Sequence, residues 1–319
     1  MRILTLVPGG IGDQLLFFPT LFDLKESYPQ ATIDVLVEPR AKSAYRVCPH
    51  VNEVLLFDYK DRNSLADYLN LLGIIRDREY DIALSLGRRW TVGFLLWLNG
   101  IPVRIGYQTP NSWFLSHPVP LKTEQYAAHM YRDLLQGLGI TSPCSPLKVS
   151  APKSDIEWTQ EEQKRLQISS GYILIHASSS QLASRLGIDK IYPPQQWQEI
   201  IQDIQTKQPS LPIVIIQGPE DEDIVTQMKK ACPDLKVISP PDIGKLAAII
   251  AGANLFLCTD SAPMHLAVAV DTYTIALFGP TDSQKLLPPG SDKCIGIQSP
   301  TGKMADIKPE RVLAAIWRG

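Results

Sequence analysis

Chemistry in this 319-residue chain is concentrated where short apolar runs end in glycine, hydroxyl and charged residues. The densest such place is Thr259-Asp260-Ser261-Ala262-Pro263-Met264-His265-Leu266-Ala267. The run before it, Asn254–Cys258, is short and unbroken, the pattern of a buried strand. Small apolar residues after it open a packed helix. The polar cluster therefore sits on a strand-to-helix turn, with Asp260 or Ser261 as N-cap and Pro263 in the first turn, where a missing N–H costs nothing. Such a turn directs free backbone N–H groups and the positive helix end at one point, which suits a phosphate or diphosphate. An ordinary capped helix with His265 as a structural histidine fits the same residues.

Four further stretches have comparable chemistry. The turn Pro8-Gly9-Gly10-Ile11-Gly12-Asp13 follows the first apolar run, but its spacing is not the dinucleotide G-x-G-x-x-G and it has no Walker lysine. Asp13 is a carboxylate at the mouth of the sheet, placed either to cap the next helix or to act as a general base. Ala177-Ser178-Ser179-Ser180 is a small-hydroxyl turn able to donate to phosphate oxygens, and Lys190 lies between it and the next helix start. Gln217-Gly218-Pro219-Glu220-Asp221-Glu222 puts acids at a strand end. A carboxylate there can take the two hydroxyls of a ribose, or it can simply favour the helix dipole. Arg88-Arg89-Trp90, with Arg40, Lys42 and Arg46, offers an anionic-acceptor or membrane-facing surface, or a scattered solvated face.

The elements that position these residues alternate. Strands are expected at Arg2–Val7, Thr32–Val37, Glu53–Phe57 and Asp81–Leu86, with helices at 15–27, 64–76 and 90–98. Proline, serine and lysine between about Pro143 and Trp158 read as a linker, so the domains are drawn at 1–150 and 151–319. The alternation then restarts, with strands at 172–176, 212–217, 236–238, 254–258 and 273–278 and helices at 194–206, 221–231 and 243–251. A final helix is expected over 308–318. Strand, helix, strand at this spacing predicts an α/β chain of two Rossmann-like domains, with a central cleft between them as the default ligand site.

D-S-x-P-M-H-L-A from Asp260 to Ala267, followed by Ala276-Leu277-Phe278-Gly279-Pro280-Thr281-Asp282, resembles the signature of glycosyltransferase family 9, the ADP-heptose:lipopolysaccharide heptosyltransferases. Gly10-Ile11-Gly12-Asp13-Gln14-Leu15 is similar to the family's G-x-G-D-x-L turn, and Lys190, Tyr192, Pro193 and Trp197 are similar to its lysine, aromatic, proline, tryptophan pattern. The chain departs at Ala262, where the family usually has glycine.

The resemblance implies a GT-B fold, with the last helix packing back on domain 1. It implies an inverting transfer with Asp13 as base and Lys190 at the donor diphosphate. Glu222, matching better than Glu220, would meet the ribose. Asp260 would take the donor sugar's hydroxyls, backbone N–H groups at Ser261 and Ala262 the diphosphate, and His265 would fix the turn or touch phosphate. Ser178 and Ser179 would complete the donor site, and Arg88 and Arg89 would meet the acceptor. No cofactor or metal is expected, since Lys190 and a helix N-terminus carry the leaving group's charge. The donor would be an ADP-linked sugar, and the acceptor a lipopolysaccharide core or other glycolipid. A nucleotide-sugar epimerase of related fold and a non-catalytic nucleotide-sugar-binding protein remain as alternatives.

Bulk composition fits this reading. Hydrophobic residues make up 45% and charged residues 20%, which describes a globular chain. A formal charge of -2 gives no nucleic-acid signal. Five scattered cysteines without a CxxC pair read as reduced thiols of a cytoplasmic protein. No run has the length of a membrane span or a signal segment, so any membrane contact is expected to be peripheral.

Overall fold

A computed structural model describes residues 1–59, 63–179 and 187–318. The chain divides into two compact units, Met1–Lys148 and Val149–Gly319. Each contains one six-stranded sheet in which every pairing is parallel.

In the first unit the strands are β1 (Arg2–Val7), β2 (Thr32–Val37), β3 (Glu53–Leu56), β4 (Ile82–Ser85), β5 (Val103–Tyr107) and β6 (His117–Val119), in the spatial order β3-β2-β1-β4-β5-β6. Order reverses between β1 and β4, the topological switch point beside which open α/β sheets bind ligands. The strands alternate faces. Leu4 and Leu6 of β1 face a core shared with Leu71 and Ile75 of α2 (Leu65–Arg76) and Leu96 of α3 (Trp90–Leu98). Helix α1 (Ile11–Ser27) buries Leu15, Leu16, Phe17, Phe18, Leu21 and Leu24, and packs on α4 (Ala127–Arg132). The two helices are tied by a buried ion pair, Arg132 Nε to Asp23 Oδ2 at 2.9 Å. Helix α1 starts four residues before the apolar periodicity does, because the glycine turn and Asp13 already lie on its first turn.

The second unit has β7 (Ile173–His176), β8 (Ile213–Ile216), β9 (Lys236–Ile238), β10 (Leu255–Thr259), β11 (Thr274–Phe278) and β12 (Cys294–Gln298), in the order β12-β11-β10-β7-β8-β9. Numbered from its own first strand, this is the order of the first sheet, with the switch point between β7 and β10. Helix α5 (Lys153–Arg165) begins inside the stretch read as linker, because Pro152 supplies a proline N-cap rather than continued coil. Helices α6 (Pro194–Lys207), α7 (Glu222–Ala231), α8 (Ile243–Ala251), α9 (Ala262–Ala269) and α10 (Ser283–Leu286) follow.

The last helix, α11 (Pro309–Ile316), contributes to the core of the second unit. Val312 and Ala315 join its core, and the following Trp317 donates from Nε1 to Asp203 of α6 at 2.8 Å. The amphipathic spacing of α11 is satisfied there. Among the described residues no helix is long and apolar enough to cross a membrane.

Candidate active site

Asp13 is held by two donors. The backbone N–H of Gly10 donates to Oδ2 at 2.8 Å, closing the capping box of α1, and the Tyr131 hydroxyl donates to Oδ1 at 3.1 Å. The carboxylate therefore does cap the helix, and lone pairs remain on both oxygens. Its approach depends on Gly9, whose φ is +118° and whose place could not take a side chain: a Cβ there would lie 2.2 Å from Asp13 Oδ2. Burial, then the charge of Asp13, push the Tyr131 phenol well above its ordinary range, so it remains a donor. Burial likewise raises the Tyr107 phenol, the charge of Arg88 opposes the rise at both tyrosines, and Arg88 and Tyr107 line one concavity. Asp13 follows β1 and Arg88 follows β4, so the first unit gathers its candidates at its switch point.

Arg88, Arg89, Ser85, Tyr107 and Asn111 line one concavity at the ends of β4 and β5. Arg40 belongs to the glycine turn, paired through Nε to Glu38 Oε2 at 2.7 Å, while Glu38 Oε1 accepts from the Gly9 N–H at 3.2 Å. Lys42 and Arg46 are exposed on the 3-10 segment Pro39–Val47. The basic residues thus do not form the single surface that their types allowed.

The second unit gathers a larger network around the ends of β7, β8, β10 and β11. Lys190 Nζ contacts Asp260 Oδ2 at 2.6 Å, and the Thr281 hydroxyl donates to the same oxygen at 2.7 Å. Ser261 is the N-cap of α9, but its hydroxyl does not cap the helix. It donates to Thr259 O at 3.2 Å and lies 3.1 Å from His176 Nδ1. The first-turn N–H groups of α9 thus have no side-chain cap. Ala262 has no positive φ, so its methyl strains nothing in the backbone. His265 is 4% exposed on the same helix. Ser178 and Ser179 are buried, and Ser179 Oγ has no hydrogen-bond partner among the described residues. Ser180 lies outside the described residues.

Of the three acids after β8, Asp221 is the one built into this network. Its Oδ2 accepts from the Gly218 N–H at 2.7 Å and lies 3.4 Å from His176 Nε2. A Cβ on Gly218 would come within 2.9 Å of that oxygen, so the glycine permits the turn. Burial alone would raise the Asp221 carboxyl, but the hydrogen bond and charge of His176, with donors from Ser178 and Gly218, hold it below the usual range. Glu222 is exposed on the first turn of α7. A D-x-D triplet, the usual metal-and-diphosphate element of another glycosyltransferase class, does occur as Asp221-Glu222-Asp223. Its outer members diverge, since Asp221 is buried against His176 and Asp223 is exposed.

The residues that sequence reasoning missed are His176, Asp221, Thr281 and Tyr131. The first three ended a strand or stood in a quoted motif, and only their convergence was hidden. Tyr131 is 118 positions from Asp13, with no local signal joining them.

With this geometry in hand, two parallel sheets of Rossmann order, each with polar residues at its switch point, define a two-unit α/β enzyme of GT-B fold. The chain matches the profile of glycosyltransferase family 9 (heptosyltransferase) over residues 69–316 and belongs to that family. It is 27% identical to lipopolysaccharide heptosyltransferase 3 of Escherichia coli over 85% of this chain and 81% of that one. It is also 27% identical to the photosynthetic NDH subunit of subcomplex B 1 of Arabidopsis thaliana, over 96% of this chain and 71% of that one. Among solved structures, the E. coli ADP-heptose lipopolysaccharide heptosyltransferase II superposes with a TM-score of 0.79 at 20% identity, covering 99% and 97% of the two chains. The chain is a glycosyltransferase.

Proposed function

We propose that this glycosyltransferase moves a heptose-type sugar, with inversion and without a metal, from an ADP-linked donor to a lipopolysaccharide core or similar glycolipid, working in the cytoplasm with peripheral membrane contact. Donor and acceptor classes are those named for its bacterial relatives. The observation that carries the donor half is the joining of Lys190, Asp260 and Thr281 beside the uncapped start of α9. An ammonium beside a helix start that has no side-chain cap suits a diphosphate, in the ground state and as a leaving group. Asp13 takes the proton from the acceptor hydroxyl, anchored in orientation by Gly10 and Tyr131. Ser179, buried with an unmet hydroxyl, supplies a further donor to phosphate. Incubating the purified protein with a panel of nucleotide sugars and a deacylated core oligosaccharide is the direct test. Transfer from ADP-heptose alone is expected, and turnover of donor without acceptor would replace the reading with an epimerase.

A second reading has one observation behind it, the similarity to a protein named as a subunit of a photosynthetic complex. On that reading the site binds a nucleotide sugar without turning it over. Tight ADP-sugar binding with no product from any acceptor would favour it.

A further inference from the structure

We propose that the outer face of α3 and the loop 108–116 docks the protein on an anionic lipid surface, with the indole rings of Trp90, Trp97 and Trp113 entering the headgroup layer and Arg88 and Arg89 meeting lipid phosphates. The proposal builds on the peripheral location proposed above and assigns it a surface.

Helix α3 reads Trp-Thr-Val-Gly-Phe-Leu-Leu-Trp-Leu, yet it buries only Gly93 and Leu96. Trp90 and Trp97 are each 50% exposed, Leu98 43%, and Trp113 81%. Half of the chain's 6 tryptophans thus stand in solvent on one short stretch. They are organised rather than scattered. Phe94 stacks on Trp97 with ring centroids 5.9 Å apart, and Phe114 meets Trp90, Phe94 and Trp97 at 6.4, 5.1 and 5.6 Å. Arg104 fixes the loop to the sheet, donating from Nε to Phe114 O at 2.7 Å and from Nη1 to the Ile101 and Pro102 carbonyls. An exposed apolar patch held in a fixed shape marks an interaction surface.

Charge selects the partner. The chain carries 33 acidic residues, and none lies between Asp81 and Glu124, whereas Arg88, Arg89, Arg104 and Lys122 do. A whole-chain charge of -2 therefore conceals one acid-free stretch that contains this patch. Exposed arginines at the start of a Trp- and Leu-rich helix suit the boundary between anionic headgroups and acyl chains. Each such cation near an anionic surface strengthens binding about fivefold, an effect that salt screens. Arg88 and Arg89 also line the concavity at the ends of β4 and β5, so docking through this face would present that concavity to a lipid-linked acceptor.

The test is sedimentation of the full chain with vesicles of phosphatidylcholine alone, or of phosphatidylcholine and phosphatidylglycerol in equal parts. The wild type is expected to pellet with the anionic vesicles, to be released by high salt, and to show a blue shift of tryptophan emission. The double variant Trp97→Ser/Trp113→Ser is expected to lose about tenfold or more in partitioning, while keeping its thermal transition and its transfer to a soluble acceptor. If that variant fails to fold, Trp113→Ser alone, at the most exposed position, carries the test. Wild type left in the supernatant with both vesicles, as a protein-binding face would give, overturns the proposal. So does vesicle binding that both variants retain in full. These vesicles contain no glycan acceptor, so a failed transfer assay beside intact vesicle binding would count against the proposed reaction and not against this surface.

Discussion

Lys190 Nζ stands 2.6 Å from Asp260 Oδ2, an oxygen that the Thr281 hydroxyl also meets. The ammonium expected at the donor diphosphate is thus positioned by the carboxylate expected at the donor sugar. The side chain of Asp260 is 6% exposed and that of Lys190 18%, so water screens the pair poorly, and removing either partner strands the other.

Lys190→Ala should weaken nucleoside diphosphate binding at least about tenfold and slow transfer with it. Lys190→Ala/Asp260→Asn should cost less than the two single changes summed, because the double variant strands no buried charge. Calorimetric titration of the four proteins closes the cycle. Strict additivity would show that the pair does not act as a unit.

Asp13→Asn keeps an oxygen for the Gly10 N–H, and so keeps the cap of α1, but it loses the basic carboxylate. Transfer should fall by roughly 10²–10⁴-fold, with donor affinity nearly unchanged. Steady-state rates beside direct donor binding separate the two effects. Near-normal turnover would leave Asp13 as a helix cap only.

The depressed Asp221 carboxyl sets a pH dependence. A carboxyl lower in the folded than in the unfolded chain contributes stability above its unfolded pKa, about 3.9, and loses it as the pH falls through the folded value. The stability gap between wild type and Asp221→Asn should therefore be full near neutrality and shrink below about pH 4. Denaturant melts across that range provide the measurement, and a constant gap would remove the His176 pairing as its source.

Transfer should persist in excess EDTA, since Lys190 and the start of α9 supply the charge stabilisation that a cation would otherwise give. Ala262→Gly should change donor affinity little, because the alanine backbone is already unstrained. Activity lost in EDTA and restored by magnesium would refute the metal-free scheme.

In the first unit, Asp23→Ala should leave Arg132 buried without its ion partner and destabilise the protein by about 3–5 kcal/mol. Chemical denaturation monitored in that unit reads this directly.

Much of this was legible in the sequence, for identifiable reasons. Strands such as β1, β2 and β8 are largely apolar, short and bounded by turn residues, so they lie where periodicity puts them. Strands β5 and β6 were not read, nor was β12. Val103–Tyr107 carries Arg104 and Gly106, and His117–Val119 has only three residues, so neither shows a strand period. The site followed the same rule. Lys190 and Asp260 were each recognisable from their own motif, but their pairing spans 70 positions and comes from the sheet order that sets β7 beside β10. Glu222 and Asp221 show what an offset alone does not carry. The offset after Gly218 drew attention to Glu222, while the inward direction went to its neighbour Asp221, which the tight glycine turn brings back onto the strand end.

The repeated strand order has a consequence for how such a chain can change over time. Each sheet completes its own ladder of hydrogen bonds, and strand identity in one does not depend on register in the other. A change of strand pairing in one sheet therefore need not be answered by a change of pairing in the other. The pairings of the two sheets become separately heritable traits. A lineage can trade one while retaining its counterpart, so a single ancestral scaffold can descend into proteins with different employments.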